Sequence, residues 1–238
     1  MKLFEIIEPQ ELPQRRYGGT FRTVDKDEKN ISSLDTDEKR IGSGFFSSVK
    51  SVLNDPHLVK KYRNRFGERD KYWDYADIII KEKLWNNPYF PRLYTKQTYL
   101  DREHQELPII KMEKLDSKIN KKEALYLLDK MFKLSGKDLK EFQEEINENG
   151  VDFITKAIAR PIAAIISAES ETAFTFYSGF SEFRLDVKIK DPLLKQAINK
   201  LIEIKNEISS SVDLHTNNLM YRRGPTGVQV VITDPFSF

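Results

Sequence analysis

The spacing of apolar residues changes period along the chain, and the changes divide it into strands, helices and a closing hairpin. From Arg40 to Leu53, Ile41, Phe45, Val49 and Val52 surround Gly42-Ser43-Gly44 and Ser47-Ser48, the pattern of two strands joined by a glycine turn. After the turn signal Asn54-Asp55-Pro56, His57 to Tyr62 alternates as a third strand. Asp70 to Trp85 then shifts to helical spacing through Trp73, Ala76, Ile80 and Leu84, with Asn86-Asn87-Pro88 to stop it. Phe90–Tyr99 and Leu107–Met112 return to strand character around an exposed turn at 101–106. Asn120 is placed as an N-cap for a helix over Lys121–Leu134, and a short acidic helix is predicted over Asp138–Ile146. Val151–Ile166 reads as another helix, with Pro161 predicting a break or bend. A strong helix follows from Asp191-Pro192 through Leu194, Ile198, Leu201 and Ile208, and Leu219–Tyr221 and Val228–Ile232 form strands around a turn at Gly224–Gly227.

This order predicts an α+β chain: a strand-rich part over 40–115, then a mainly helical part over 116–238. Residues 1–39, mostly charged and polar from Asp25 onward, are expected to be an exposed N-terminal extension. Ala168–Leu185 carries few helix signals but holds Phe174, Phe176, Tyr177, Phe180 and Phe183, an aromatic density that suits packing of an irregular insertion or a substrate groove.

Composition narrows the function classes. With no cysteine and three histidines among 238 residues, disulfide frameworks and thiolate metal sites are excluded. A formal charge of +2, with both signs interspersed, gives no case for direct nucleic-acid binding. No run is long and apolar enough to span a bilayer, and Met1–Pro13 lacks the apolar core of a signal peptide, so a cytoplasmic protein without membrane contact is expected.

The candidate chemistry lies at the C-terminal end. Asp213, Asn218 and Asp234 offer two carboxylates and an amide oxygen at one end of the predicted hairpin. Such a set suits phosphoryl transfer, with one carboxylate orienting the attacking hydroxyl and the other two groups holding magnesium on nucleotide phosphates. Upstream, Gly42, Ser43 and Gly44 can bring backbone N–H groups close to phosphate oxygens, with Val49 on the following strand. Lys60 is the expected cation of the cleft, and Asp77 or Glu82 on the helix after it the expected partner. Met112 would back a purine pocket whose edge meets the backbone of Glu113-Lys114-Leu115. Each feature alone has an ordinary reading, as a hairpin turn, a surface lysine, a solvated helix acid or a strand exit. Their order along the chain is what joins them.

That order resembles the protein-kinase-like fold, in the sequence glycine turn, Lys60, acidic helix, Met112-Glu113, Asp213 to Asn218, then Asp234. The stretches DLHTNNLM and VITDPFSF, with GSGFFSSV and HLVKK, resemble more closely the early serine/threonine protein kinases of T-seven-type bacteriophages. The resemblance implies a two-lobed architecture with a β-rich N-lobe and a reduced, mainly helical C-lobe. It implies ATP and Mg2+ as cofactors and phosphorylation of host proteins in the bacterial cytoplasm. It assigns Asp213 as catalytic carboxylate, Asn218 and Asp234 as metal ligands, Lys60 as phosphate-binding lysine, and Gly42 and Gly44 to the phosphate loop.

The chain also departs from the kinase pattern. Ser211-Val212 stands where His-Arg is usual, Pro235-Phe236 where Phe-Gly is usual, and the sequence ends four residues after Asp234. No activation segment is therefore expected. Asp-Leu-His-x-x-Asn, with His215 inside it, is also a feature of small-molecule phosphotransferases, which makes such an enzyme the alternative activity. A kinase-like module that binds and inhibits a host protein without catalysis is the third reading.

Overall fold

The computed structural model describes residues 39–43, 47–52, 55–63, 70–100, 104–168 and 188–237. Of the expectations above, those for residues 1–38, Gly44-Phe45-Phe46, and the aromatic stretch Phe174–Phe183 lie outside these residues. The described chain is α+β.

Its first part is a five-stranded antiparallel sheet of order β1-β2-β3-β5-β4, built from β1 (Arg40–Ser43), β2 (Ser47–Val52), β3 (Asp55–Arg63), β4 (Leu93–Leu100) and β5 (Glu106–Glu113). Alternation sorts the side chains onto two faces. Val59 opposite Met112, and Lys61 opposite Ile110, lie on the face whose Ile110 and Met112 join the main core, while the buried Leu107 and Ile109 lie on the other. Lys60 lies on the other face, in a cross-strand row with Lys50 and Lys111.

Helix α1 (Tyr72–Glu82) joins β3 to β4 and buries Tyr72, Trp73, Tyr75, Ala76, Ile78 and Ile79. The Asp70 carboxylate accepts the Tyr72 N–H at 3.0 Å, satisfying one of the first-turn donors that a helix leaves without an internal partner. Lys83, left-handed at φ 56°, ends the helix, and the turn Leu84–Asn86 leads back to the sheet.

The second part is mainly helical. Helix α2 (Lys121–Met131) starts with the expected cap, since Asn120 and Glu123 exchange side-chain to backbone hydrogen bonds in a capping box. The helix stops short of Leu134, because Phe132–Lys133 becomes a strand, β6, paired with β7 (Lys188–Ile189). Helices α3 (Gly136–Asn149) and α4 (Val151–Ala168) follow.

Of the break or bend expected at Pro161, the break does not occur, and α4 runs through it as one helix. Pro costs an interior helix about 3 kcal/mol. Here it is buried beside Ile158, Ile162, Ile165 and Ile166, so packing of that face offsets the lost hydrogen bond. Helix α5 (Pro192–Glu207) has Pro at its first position and Asp191 accepting from the Leu193 and Leu194 N–H groups.

Four short strands close the chain: β8 (Ser211–Val212), β9 (Leu219–Gly224), β10 (Gly227–Ile232) and β11 (Phe236–Ser237). β9 and β10 form the predicted hairpin, turning at Pro225-Thr226 with Gly227 at φ 109°, where a Cβ would be strained. Among the described residues no helix is long and apolar enough to cross a membrane.

Candidate functional site

Asp213 and Asp234 become neighbours through backbone pairing. β8 and β11 pair antiparallel with Val212 opposite Phe236, and the Asp213 N–H donates to the Pro235 carbonyl at 2.8 Å. Both carboxylates are thus held beside one short ladder. Asn218 is tied into both sides. Its side-chain Nδ2 donates to the Asp213 carbonyl at 2.6 Å, and its own carbonyl accepts from the Thr233 N–H at 2.9 Å and from the Thr233 hydroxyl at 3.0 Å. Thr233 directly precedes Asp234. The three residues that the sequence placed at one end of a hairpin therefore do converge.

The hydrogen bonds also leave a donor set of a particular kind. With Nδ2 directed to Asp213, the Asn218 amide keeps Oδ1 as its acceptor, and Asp234 supplies a carboxylate. Two hard oxygen donors fit Mg2+, which commonly takes one or two protein oxygens and completes its shell with water and phosphate. His215 is spent locally, since its Nδ1 accepts the Asn217 N–H at 3.1 Å and so shapes the loop.

The lysine at this point is Lys61, where Lys60 was expected. Lys61 Nζ lies 3.2 Å from Asp234 Oδ2, with side-chain exposures of 12% and 26% for the two residues. The β-strand period of two puts Lys60 on the opposite face. Gly42 faces Val49, and Val49 faces Lys61, so Gly42 and Val49 share a cross-strand row with Lys61.

Burial pushes the Asp234 carboxyl above the usual aspartate range. Lys61 opposes that rise, while the negative charges of Asp70 and Asp213 add to it.

Neither expected helix acid reaches the lysine. Asp77 pairs with Lys96 on β4, and Glu82 with Lys200 on α5. Asp77 borders the buried stripe but points to solvent beside the sheet. What meets Lys61 from α1 is Tyr72, whose ring centroid lies 3.2 Å from Nζ. Tyr72 and Asp70 were missed from the sequence. The one available signal was Asp70 just ahead of the helix, and it also reads as an ordinary cap.

The strand exit is also rearranged relative to expectation. Met112 is buried and accepts a contact from the Tyr72 hydroxyl at 3.7 Å. Glu113 turns inward to a forked ion pair with Arg222 of β9, in which Nε donates to Oε2 at 2.8 Å and Nη2 to Oε1. Arg222 also donates to the carbonyls of Pro88 and Phe90. The N–H groups of Glu113 and Lys114 go to the Arg92 and His57 carbonyls at 3.0 Å and 2.8 Å, so neither is left to read a purine. Leu115 is buried beside them.

Two contacts fasten α1 to the strand that delivers Asp234. The Tyr75 hydroxyl donates to the Ile232 carbonyl at 2.9 Å, and the Phe236 ring meets Tyr75 edge-on at 5.6 Å. The site is thus a lysine from the sheet, an aromatic ring from a helix, and two carboxylates with an amide from the segments that join the closing strands. Compared with known families and with curated proteins, the chain matches no family model and no curated protein.

Proposed function

We propose that this chain is an ATP- and Mg2+-dependent serine/threonine protein kinase. One observation carries the reading: Asp213, Asn218, Asp234 and Lys61, drawn from positions up to 173 residues apart, meet at one point. Asp213, exposed at that point, orients the acceptor hydroxyl and takes up its proton. Lys61 neutralises nucleotide phosphate oxygens, and the row Gly42–Val49–Lys61 is the surface beneath which the phosphates lie. Asn218 and Asp234 hold Mg2+, which supplies charge neutralisation on the phosphates when bound. With two N–H groups of the strand exit already used, a purine edge is left with the Leu115 N–H.

The strand order β1-β2-β3-β5-β4, with α1 inserted between β3 and β4, supports reading 40–115 as the β-rich lobe of a kinase-like fold and 116–238 as its helical lobe. The resemblance to phage enzymes extends the proposal to host proteins as acceptors in the bacterial cytoplasm.

The test is transfer of labelled γ-phosphate from ATP to proteins of a bacterial lysate, comparing the wild type with Asp213→Ala. Magnesium-dependent labelling by the wild type and its loss in the variant are expected. Equal labelling by both would remove Asp213 from the chemistry, and labelling of small alcohols alone would favour a small-molecule phosphotransferase.

A further inference from the structure

We infer that the Tyr72 ring is the positioning group for Lys61, standing where a helix carboxylate was expected. This rests on reading Lys61 as the phosphate-binding lysine. Asp77 and Glu82 are both engaged elsewhere, with Lys96 and Lys200. Tyr72 is fully buried in the first turn of α1, and its ring centroid lies 3.2 Å from Lys61 Nζ.

The ring is itself held from several directions. Its hydroxyl reaches Met112 Sδ at 3.7 Å, Trp73 lies edge-on at 5.2 Å, and the Tyr72 N–H is fixed by Asp70 at 3.0 Å. It is therefore a locked surface and does not follow the lysine.

An aromatic face and a carboxylate hold an ammonium differently. The carboxylate accepts directed hydrogen bonds and cancels the charge locally, whereas the π face attracts the charge and takes none of its three N–H donors into a strong bond. In this site one donor goes to Asp234 at 3.2 Å, and the others stay available for phosphate oxygens. Were Asp234 to hold a metal ion, the ring would still face Lys61 and leave its charge undiminished. Tyr72 is a positioning residue, because it acts through Lys61 and not on substrate.

Proton NMR of the lysine ε-methylene and Nζ groups tests this without any turnover. The Lys61 resonances, assigned by their loss in Lys61→Arg, are expected well upfield of other lysines through the ring current. They should stay there in Tyr72→Phe and return to the ordinary position in Tyr72→Leu. Ordinary Lys61 shifts in the wild type would overturn the inference, and this reading stands whether or not Tyr72→Leu folds. With ATP, a buried cation–π contact predicts that Tyr72→Leu lowers kcat/KM roughly 30-fold, less than the loss in Lys61→Met, and that Tyr72→Phe restores it. An unchanged kcat/KM in folded Tyr72→Leu would count against the positioning role. If wild-type protein shows the upfield shift but no phosphoryl transfer, the kinase reading fails while the Tyr72–Lys61 arrangement stands.

Discussion

Exchanging Lys61 and Lys60 for methionine, one at a time, separates the two faces of β3. Methionine preserves much of the aliphatic stem and deletes the charge. Lys61 Nζ lies 3.2 Å from Asp234 Oδ2, which at an effective dielectric of 20 gives a gross attraction of about 5 kcal/mol, an upper bound before desolvation. Loss of one preorganised donor from a charge-developing site costs about 10²–10³-fold in kcat, or roughly 2.7–4 kcal/mol, which falls within that bound. Lys61→Met should therefore lower Mg2+-dependent transfer from γ-labelled ATP by about 10²–10³-fold. Lys60→Met, on the face away from Asp234, should stay within about twofold, the range of a surface substitution. Far-ultraviolet circular dichroism on both variants checks that the sheet is intact. Comparable losses in the two variants, or a larger loss in Lys60→Met, would refute the strand-face assignment and with it the placement of Gly42 and Val49 over the site.

Two further outcomes follow from buried charge. Glu113→Ala leaves the Arg222 guanidinium, 16% exposed, without its carboxylate, and should destabilise the protein by about 3–5 kcal/mol, seen as a Tm lower by roughly 6–20 °C. A Tm within about 1 °C of wild type would show that the pair contributes little. Asp234→Asn should act in the opposite direction. Burial raises the folded-state pKa of Asp234 above its ordinary value of 3.8, so over the interval above that value the native state binds more protons than the unfolded state, and wild-type stability falls as pH rises through it. The variant lacks this loss. Its stability relative to wild type should grow from about pH 4 upward and then level off, while stabilisation by Mg2+ and ATP disappears; a relative stability that shrinks with pH in chemical denaturation would contradict the assigned direction.

Local signals carried the elements further than they carried the site. The hairpin of β9 and β10, the capping box of α2 and the Asp191-Pro192 start of α5 follow from residues within a few positions of one another, and they form as read. The choice between Lys60 and Lys61 could not be made that way. In Leu58-Val59-Lys60-Lys61-Tyr62 each alternate set contains at least one apolar residue and a lysine, so the pattern fits either face; pairing with β2 and β5 decides it. Asp77 was misleading for a related reason, since it borders the apolar stripe of α1 and helix spacing alone does not show that Lys96 waits on β4. Glu113 finds its partner 109 residues away, a separation over which no local pattern reports. Pro161 reverses the usual rule because tertiary burial outweighs a local cost.

The same contrast accounts for how the site is held. The carboxylates and the amide are fixed by hydrogen bonds to the main chain between separate segments: Asp213 by Pro235, Asn218 by Thr233, and the strand before Asp234 by the Tyr75 hydroxyl and the Tyr89 carbonyl. Helix α1 contributes Tyr72 to Lys61 and Tyr75 to the Asp234 strand, three positions apart and hence on neighbouring parts of one face. A shift of α1 along its axis would therefore move the ring beneath the lysine and the anchor of the aspartate together. Where the Lys61 ammonium and the Asp234 carboxylate touch each other at 3.2 Å, one helix face sets the distance on which both depend.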